Sequence, residues 1–322
     1  MSKILITGGT GFIGYHIAKK LSETDNAITL VGRNRDKVDK DLQDLLSKPN
    51  VNLIEADLTD KESWKKIGNG YDYIYHLAGL KSFKDFSSIP HEVLRIGIET
   101  TLNLLSWLSK ENNKPDAKVL YTSTSDVYAG VPVSNLKIPT PENTALVIPD
   151  VHEPRWSYAG QKIIGEMLFI YYSKAYNFRM SIVRPNNIYG PRAGQDPMIP
   201  KMISRIKNHI DPFPIISPSE NRASCYVGDL VDALILISES RKTDGEIYHI
   251  GGKEENTVRE LLEIMFKICN WRPEKFDIKE NPDDSSKHSL PDISKIKRDT
   301  GWEPKVSLEE GLRKTIEWYS RN

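Results

Sequence analysis

Cysteine is scarce in this sequence, and histidine shows no metal-binding spacing. Cys225 and Cys269 are the two cysteines among 322 residues, and they lie far apart in the chain. The seven histidines do not combine with cysteine or acidic residues at the spacings of zinc sites. A disulfide-stabilised secreted scaffold is therefore excluded, and we expect a protein that binds no metal.

The sequence also lacks a charge excess and a long apolar run. Lys plus Arg total 44 and Asp plus Glu total 44, so the basic excess of nucleic-acid-binding proteins is absent. No apolar stretch approaches the ~20 residues of a membrane span. The first residues, MSKILITGGTGFIG, lack the apolar core and cleavage site of a signal peptide. We expect a cytoplasmic protein without nucleic-acid or membrane partners.

Short β-rich segments alternate along the chain with segments whose apolar residues recur every three or four positions. Strands are predicted at 3–7, 27–31, 51–56, 71–77, 117–123 and 180–184, and helices at 11–23, 92–110, 158–176 and 307–319. This alternation predicts an α/β fold, a Rossmann-type doubly wound parallel sheet with a smaller mixed C-terminal lobe. The Pro-rich stretch 130–157 is long enough to predict a binding loop or lid.

A glycine-rich turn, TGGTGFIG, follows the first predicted strand and opens the first predicted helix. Glycines at three-residue intervals permit a tight turn and let a diphosphate approach the N–H groups at the helix N-terminus. In this context the motif predicts a dinucleotide cofactor, bound by Gly8, Gly11, Phe12, Ile13 and Gly14.

The end of the second predicted strand distinguishes the two nicotinamide cofactors. NAD sites usually carry an acidic residue there for the ribose 2′-hydroxyl, but this chain has Gly32, followed by Arg33 and Arg35. A guanidinium can bind a 2′-phosphate, which a carboxylate would repel. The pattern favours NADP, with Arg33 as the residue that binds the 2′-phosphate. The alternative is that both arginines are ordinary exposed loop residues and that the cofactor is NAD.

The segment WSYAGQK places Tyr158 four residues before Lys162, on one face of a predicted helix. Tyrosine has an ordinary pKa near ~10, so it transfers protons near neutral pH only when its phenolate is stabilised. A neighbouring ammonium could supply that stabilisation. The spacing alone also fits a pair of surface residues.

Eight motifs in order decide between these readings. They are TGGTGFIG, ADL (56–58), HLAG (76–79), YTSTSDVYAG (121–130), YAGQK (158–162), RPNNIYGPR (184–192), RASCYVGDL (222–230) and a C-terminal segment beginning DISKIKRDTGW (292–302). The set resembles the extended short-chain dehydrogenase/reductase family, in its branch of NAD(P)-dependent nucleotide-sugar epimerases and dehydratases. The resemblance spans nearly the whole chain.

The resemblance implies a role for each matching position. Tyr158 and Lys162 would be the catalytic pair, and Thr124 would bind the substrate hydroxyl. The cofactor would also contact Asp57, Leu58, Leu77, Ala78 and Gly79, while the substrate would contact Lys81, Ser125, Asp126, Asn187 and Arg222. Residues 1–184 would form the NAD(P)-binding domain, and residues 185–322 mainly the substrate-binding lobe, with some segments returning to the core.

The resemblance narrows the activity without fixing it. Dehydratases resemble TDEVYG where this chain has Ser125 and Asp126, so one acid is missing. Decarboxylases of nucleotide-linked glucuronate resemble TSEVYG, but typically carry the acidic NAD signature on the second strand. The AGLK of galactose-type epimerases is matched by residues 78–81. We therefore rank a sugar-nucleotide C4 epimerase first, followed by an NADPH-dependent reductase of a keto-sugar nucleotide or other carbonyl, a decarboxylase and a non-catalytic redox sensor.

Three departures from the family pattern bear on the substrate. Gly97 stands where members usually have Asn. Asn281 replaces an Arg of a diphosphate-binding RPGD stretch, with Lys287 and His288 as possible substitutes. The 130–157 segment is longer than usual.

The helix after Tyr158 is apolar on more than one face, and in this family such a helix often pairs with its copy. We therefore expect a homodimer that acts on a nucleotide sugar.

Overall fold

The computed structural model describes residues 1–34, 38–80, 83–112, 114–280 and 289–321. Five residues named in the sequence analysis lie outside these ranges, so their predicted roles stay predictions. They are Arg35, Lys81, Asn281, Lys287 and His288.

A seven-stranded parallel sheet forms the centre of the fold. Its strands are β1 (Lys3–Thr7), β2 (Ala27–Gly32), β3 (Val51–Glu55), β4 (Tyr73–His76), β5 (Lys118–Thr122), β6 (Arg179–Pro185) and β11 (Ile247–Ile250), in the order β11-β6-β5-β4-β1-β2-β3. The order reverses between β1 and β4, which pair in parallel. In such sheets ligands bind beyond the carboxyl ends of the strands at the reversal, so this edge is where a dinucleotide is expected.

Short strands form three further pairs outside the central sheet. They are β7 (Ile188–Tyr189) with β10 (Cys225–Tyr226), β9 (Asn221–Arg222) with β12 (Asn256–Thr257), and β8 (Phe213–Ile216) with β13 (Phe276–Lys279). The first and third pairs are parallel and the second is antiparallel.

The helices fill the connections between strands. They are α1 (Phe12–Leu21), α2 (Lys40–Leu46), α3 (Phe83–Ser88), α4 (Pro90–Lys110), α5 (Trp156–Tyr176), α6 (Met198–Lys207), α7 (Val227–Glu239), α8 (Val258–Cys269), α9 (Ser294–Thr300) and α10 (Leu308–Arg321). No helix among the described residues is long and apolar enough to cross a membrane.

The predicted fold class is confirmed, as are the predicted strands and helices. Their ends differ by a few residues, and local geometry gives the reason. Helix α4 begins earlier than predicted because Pro90 is favoured in the first turn. Helix α5 begins two residues earlier than predicted and ends at Tyr176 as predicted, where Asn177 adopts the left-handed conformation with φ of 54°. Between residue 130 and the start of α5 at Trp156, Val133–Asn135 forms a single 3₁₀ turn.

The chain divides into two compact units. The first comprises residues 1–127, 148–184 and 234–248, and it has a core of Leu, Ile, Val and aromatic side chains that includes Leu5, Trp107 and Phe169. The second comprises residues 128–147, 185–233 and 249–322, with its own core. The assignment of cofactor binding to residues 1–184 and of substrate binding mainly to residues 185–322 stays a prediction.

Candidate active site

The glycine turn between β1 and α1 is too tight for side chains at two positions. Gly8 has φ of +70°, and a Cβ there would lie 3.0 Å from the main-chain nitrogen of Ala78. A Cβ on Gly14 would lie 2.5 Å from the Gly8 carbonyl oxygen. The turn therefore packs directly against the segment that follows β4, as a Rossmann cofactor site requires.

Gly11 has a different part in the same turn. It is the N-cap of α1 and gives the helix no side-chain cap. A Cβ on Gly11 would approach only the Gly8 carbonyl oxygen, at 3.2 Å, and the residue is exposed. Because the first N–H groups of a helix favour an anion, this open N-terminus fits a cofactor diphosphate.

At the end of β2, Gly32 stands where an acidic residue is usual, and it packs against the glycine turn. A Cβ on Gly32 would lie 2.6 Å from Cγ2 of Thr10, which belongs to the glycine turn. A longer residue would have to displace Thr10. The next residue, Arg33, is exposed.

The other predicted cofactor-binding residues lie in the loops after β3 and β4. The Asp57 carboxylate accepts hydrogen bonds from the N–H and hydroxyl of Thr59, at 3.0 and 2.8 Å. Leu58 is buried in the core of the first unit, and its carbonyl accepts from the Asn103 amide at 3.0 Å. Leu77, Ala78 and Gly79 follow β4 beside the glycine turn, with the Leu77 N–H donating to the Thr7 carbonyl at 3.2 Å. The cofactor contacts of all five stay proposals.

The structure brings Thr124 and Tyr158 together. Thr124 lies just beyond β5, Tyr158 lies in the first turn of α5, and their side chains are hydrogen-bonded. Burial raises the pKa of the Tyr158 phenol, the negative charge of Asp126 raises it further, and the hydrogen bond with Thr124 acts in the opposite direction. The Phe86 ring stacks on the Tyr158 ring, with centroids 4.7 Å apart.

Lys162 lies one helical turn after Tyr158 and is buried. Its Nζ donates to the main-chain oxygen of Thr122, 2.7 Å away, and lies 5.0 Å from the centre of the Tyr121 ring. Burial lowers the pKa of Lys162 to about 8, against the opposing effect of the Glu166 carboxylate. Lys162 is not among the causes of the Tyr158 shift, so the lowering of that pKa expected from the sequence is not seen. The positive charge of an oxidised nicotinamide would act in the lowering direction.

Behind this pair lies an ion pair that the sequence analysis missed. The Glu166 carboxylate accepts from Nε and Nη2 of Arg184, at 2.8 and 2.5 Å, and from the Ser123 hydroxyl at 2.5 Å. Both charged side chains are nearly fully buried. The available signal was a lone glutamate in the apolar run IIGEML, four residues after Lys162.

His76, at the end of β4, stays neutral at physiological pH. Burial lowers its pKa to about 3, and the positive charge of Lys162 contributes to the shift. Its Nδ1 is 2.8 Å from the Thr7 hydroxyl. His76 therefore ties β4 to β1 rather than acting as an acid.

Comparison with known proteins identifies the family. The model of the NAD dependent epimerase/dehydratase family matches residues 4–251. The chain belongs to this family. It is an enzyme of the extended short-chain dehydrogenase/reductase type, and the matched region includes the glycine turn and the Thr124, Tyr158 and Lys162 group.

Several relatives extend over nearly the whole chain. A UDP-N-acetyl-alpha-D-glucosaminuronate decarboxylase of Bacillus cytotoxicus is 30% identical, over 98% of this chain and 97% of its own. UDP-glucuronic acid decarboxylase 3 of Arabidopsis thaliana is 34% identical, over 96% and 86%. A solved UDP-N-acetylglucosamine 4-epimerase from Methanobrevibacter ruminantium M1, in complex with UDP-N-acetylmuramic acid, is 28% identical with a TM-score of 0.86, over 99% and 98%.

The predicted substrate-binding residues come from separate parts of the chain. Ser125 and Asp126 begin the 3₁₀ turn after β5, in the first unit. Asn187 and Arg222 belong to the second unit. The Asn187 side chain donates to the Ser289 hydroxyl at 3.1 Å, and Arg222 forms an ion pair with Glu220. Among the described residues there is no group of three His, Cys, Asp or Glu residues that could hold a metal.

Proposed function

We propose that this enzyme decarboxylates a nucleotide-linked hexuronate and keeps one nicotinamide cofactor through each cycle. The observation that carries the proposal is the group at the end of β5, where Thr124 is hydrogen-bonded to Tyr158 and the carboxylate of Asp126 lies close enough to affect the phenol. The uronate is supported by the decarboxylase relatives. Asp126 stands at the position of the Glu in the TSEVYG pattern.

The protein groups can handle each proton of this reaction. A nicotinamide bound at this site would supply the acceptor for hydride from C4 of the sugar and the same hydride for the final reduction. Tyr158 takes the proton of the C4 hydroxyl, while Thr124 holds the same oxygen. Because the C4 ketone is β to the carboxylate, the bond from C5 to the carboxylate carbon breaks, CO₂ leaves and the electron pair moves to the ketone oxygen.

The remaining step is protonation at C5. Asp126 is exposed in this structure, so its carboxyl group can exchange protons with water. We assign Asp126 as the acid that delivers a solvent-derived proton to C5. Tyr158 then returns its proton to the C4 oxygen as the ketone is reduced, and a nicotinamide bound here would end in its starting state.

The test is incubation with UDP-glucuronate and with UDP-N-acetylglucosaminuronate in D₂O. A decarboxylase gives a product lighter by one CO₂ and carrying one deuterium at C5, without net change in nicotinamide absorbance. The product would be characterised by mass spectrometry and proton NMR. Recovery of both substrates unchanged from an enzyme shown to contain cofactor would contradict the proposal.

The second candidate is a 4-epimerase, which the sequence analysis ranked first. Its support is the structural similarity to the Methanobrevibacter 4-epimerase and to a UDP-glucose 4-epimerase from Thermotoga maritima, at 28% identity each. An epimerase gives a product of unchanged mass with no deuterium on carbon. A reductase, the third possibility, consumes NADPH in proportion to product. The same assay therefore separates all three.

For the cofactor we propose NADP over NAD. The support is Gly32, which packs against Thr10 and carries no acidic side chain, together with the exposed Arg33 that follows. A guanidinium at this place can pair with a 2′-phosphate. Mass spectrometry of the ligand released from purified, denatured enzyme identifies the cofactor directly and detects any retained nucleotide sugar.

We also propose a homodimer formed through α5. Ile164, Met167 and Tyr171 follow one another at intervals of three and four on this helix, and 39%, 52% and 61% of each residue is exposed. Apolar residues at this spacing form one stripe. A second copy of the chain, carrying the same stripe, is the partner that fits.

A further inference from the structure

The side chain of Gln161 on α5 packs directly against the backbone of Gly97 on α4. A Cβ built on Gly97 would lie 1.5 Å from Oε1 of Gln161 and 2.4 Å from its Cδ. Gln161 is only 2% exposed, and Gly97 is buried. The carboxamide of Gln161 therefore fills the volume that any side chain at position 97 would need. This explains a glycine inside a helix, where it costs about 1 kcal/mol relative to alanine.

The Nε2 amide of Gln161 is buried and has no hydrogen-bond acceptor in the described part of the chain. An unsatisfied buried donor costs free energy, and such donors are nearly always paired in working proteins. Within the described residues of the first unit, only two other buried side-chain atoms share this state, Oγ1 of Thr122 and Oγ of Ser157.

All three unsatisfied atoms belong to residues beside the candidate catalytic pair. Ser157 immediately precedes Tyr158, and Gln161 immediately precedes Lys162. Thr122 provides the carbonyl to which Lys162 donates. The unpaired polar atoms therefore belong to residues next to Tyr158 and Lys162 in the sequence, or to a residue that contacts Lys162 directly.

We propose that Gln161 is a positioning residue for the nicotinamide cofactor. Its Nε2 donates to an oxygen of the nicotinamide riboside, either the carboxamide oxygen or a ribose hydroxyl. The side-chain amide that the family pattern leads one to expect at position 97 on α4 is supplied instead from α5. Gly97 contributes by leaving the space open.

The central test replaces Gln161 by methionine, which keeps the volume and removes the donor. Dissociation constants for oxidised and reduced cofactor are measured by calorimetry on protein stripped of cofactor, together with Tm before and after cofactor addition. Gln161→Met weakens cofactor binding about 5- to 30-fold, the range for a lost hydrogen bond of about 1–2 kcal/mol. Its cofactor-free Tm stays at or above that of the wild type, because an unsatisfied donor is removed.

The matched control is Gly160→Ala on the same helix, where a Cβ would meet only the Leu94 side chain at 3.9 Å. This variant binds cofactor like the wild type. Wild-type affinity in Gln161→Met overturns the proposal. An equal loss of affinity in Gly160→Ala also overturns it, as does a lowered cofactor-free Tm with an unchanged dissociation constant.

A second set of variants tests the Gln161 amide through substitutions on α4, in case Gln161→Met folds poorly. Gly97→Ala forces the carboxamide out of its place and lowers cofactor affinity although Gln161 is intact. The double variant Gly97→Asn/Gln161→Ser moves an amide across the interface and recovers most of the affinity. If Gly97→Ala leaves cofactor affinity unchanged, or if the double variant binds cofactor no better than Gln161→Ser alone, the proposal fails.

Discussion

The ammonium of Lys162 donates to the main-chain oxygen of Thr122, 2.7 Å away, and so ties helix α5 to the carboxyl end of β5. Because the charge of Lys162 is buried, the stability of the folded chain depends on pH through this residue. Burial lowers the pKa of Lys162 to about 8 in the folded chain, from an ordinary value of 10.5. The sign of the effect on stability follows from these two values.

Below pH 8, Lys162 is protonated in both the folded and the unfolded chain, and the cost of burying its charge is fully present. Between pH 8 and 10.5 the folded chain releases the proton while the unfolded chain keeps it, so this group makes the folded state more stable as pH rises. We expect the free energy of unfolding of the wild type to rise over this window relative to that of Lys162→Met.

Urea unfolding of the two proteins at several pH values measures that difference. Because all other titrating groups are shared, the difference isolates Lys162. Lys174→Met removes an exposed lysine near the end of the same helix and is the control for the loss of a lysine side chain. A difference that stays constant, or that falls as pH rises, would contradict the assigned shift.

Replacement of Tyr158 by phenylalanine should lower kcat by about 10²–10⁴-fold, since the ring stays stacked on Phe86 while the group that transfers the proton is lost. Cofactor affinity should change little. Steady-state turnover and cofactor titration of the same preparation check both parts. Tyr176→Phe, at the exposed end of α5, is the matched control. Substantial activity in Tyr158→Phe would reject the mechanism.

Glu166→Gln should destabilise the chain by about 3–5 kcal/mol, because it leaves the buried guanidinium of Arg184 without a countercharge. The exposed pair of Arg313 and Glu309 provides the comparison. Glu309→Gln should cost only about 0.3–0.5 kcal/mol. Chemical denaturation measures both, and similar losses in the two variants would show that burial does not control the strength of the first pair.

Arg33→Ala should weaken NADPH binding about 10-fold or more while leaving NADH binding nearly unchanged, because only NADPH carries a 2′-phosphate for the guanidinium. Fluorescence titration with each cofactor gives the two dissociation constants. Wild-type protein that binds NADH as tightly as NADPH would overturn the cofactor proposal. It would leave the decarboxylase proposal standing, since a retained cofactor of either kind can cycle.

Met167→Asp should convert the proposed homodimer into monomers, because it places a charge in the middle of the apolar stripe on α5. Light scattering coupled to size exclusion measures the mass. The control is Lys19→Asp, which changes the charge of an exposed residue on α1, outside the stripe. A wild-type chain that is already monomeric at high concentration would refute the dimer.

The central elements could be predicted from sequence because their signals are local. KILIT followed by TGGTGFIG fixes a strand, a turn and a helix start within a dozen residues, and the structure confirms each. The position of Tyr158 and Lys162 on one helix could be predicted for the same reason, since a spacing of four residues places them on one face. The ordered motifs then identified the family.

What the sequence could not predict depends on contacts between distant residues. Glu166 and Arg184 lie on different elements, and no spacing rule links them, so their ion pair was missed. The departure at Gly97 was noticed, but its reason required the position of the Gln161 side chain. The pKa of Tyr158 was expected to be lowered by Lys162, yet burial, which sequence does not reveal, is the larger influence.

In the glycine turn, Gly14 and Gly11 should resist substitution for different reasons. A methyl group on Gly14 would collide with the main chain whether or not a dinucleotide is present. A methyl group on Gly11 would approach only the Gly8 carbonyl oxygen within the protein, so its main effect would be on a bound diphosphate. In a mutant library screened for folded protein alone, Gly14 would be intolerant and Gly11 permissive. A screen for cofactor retention would remove substitutions at both.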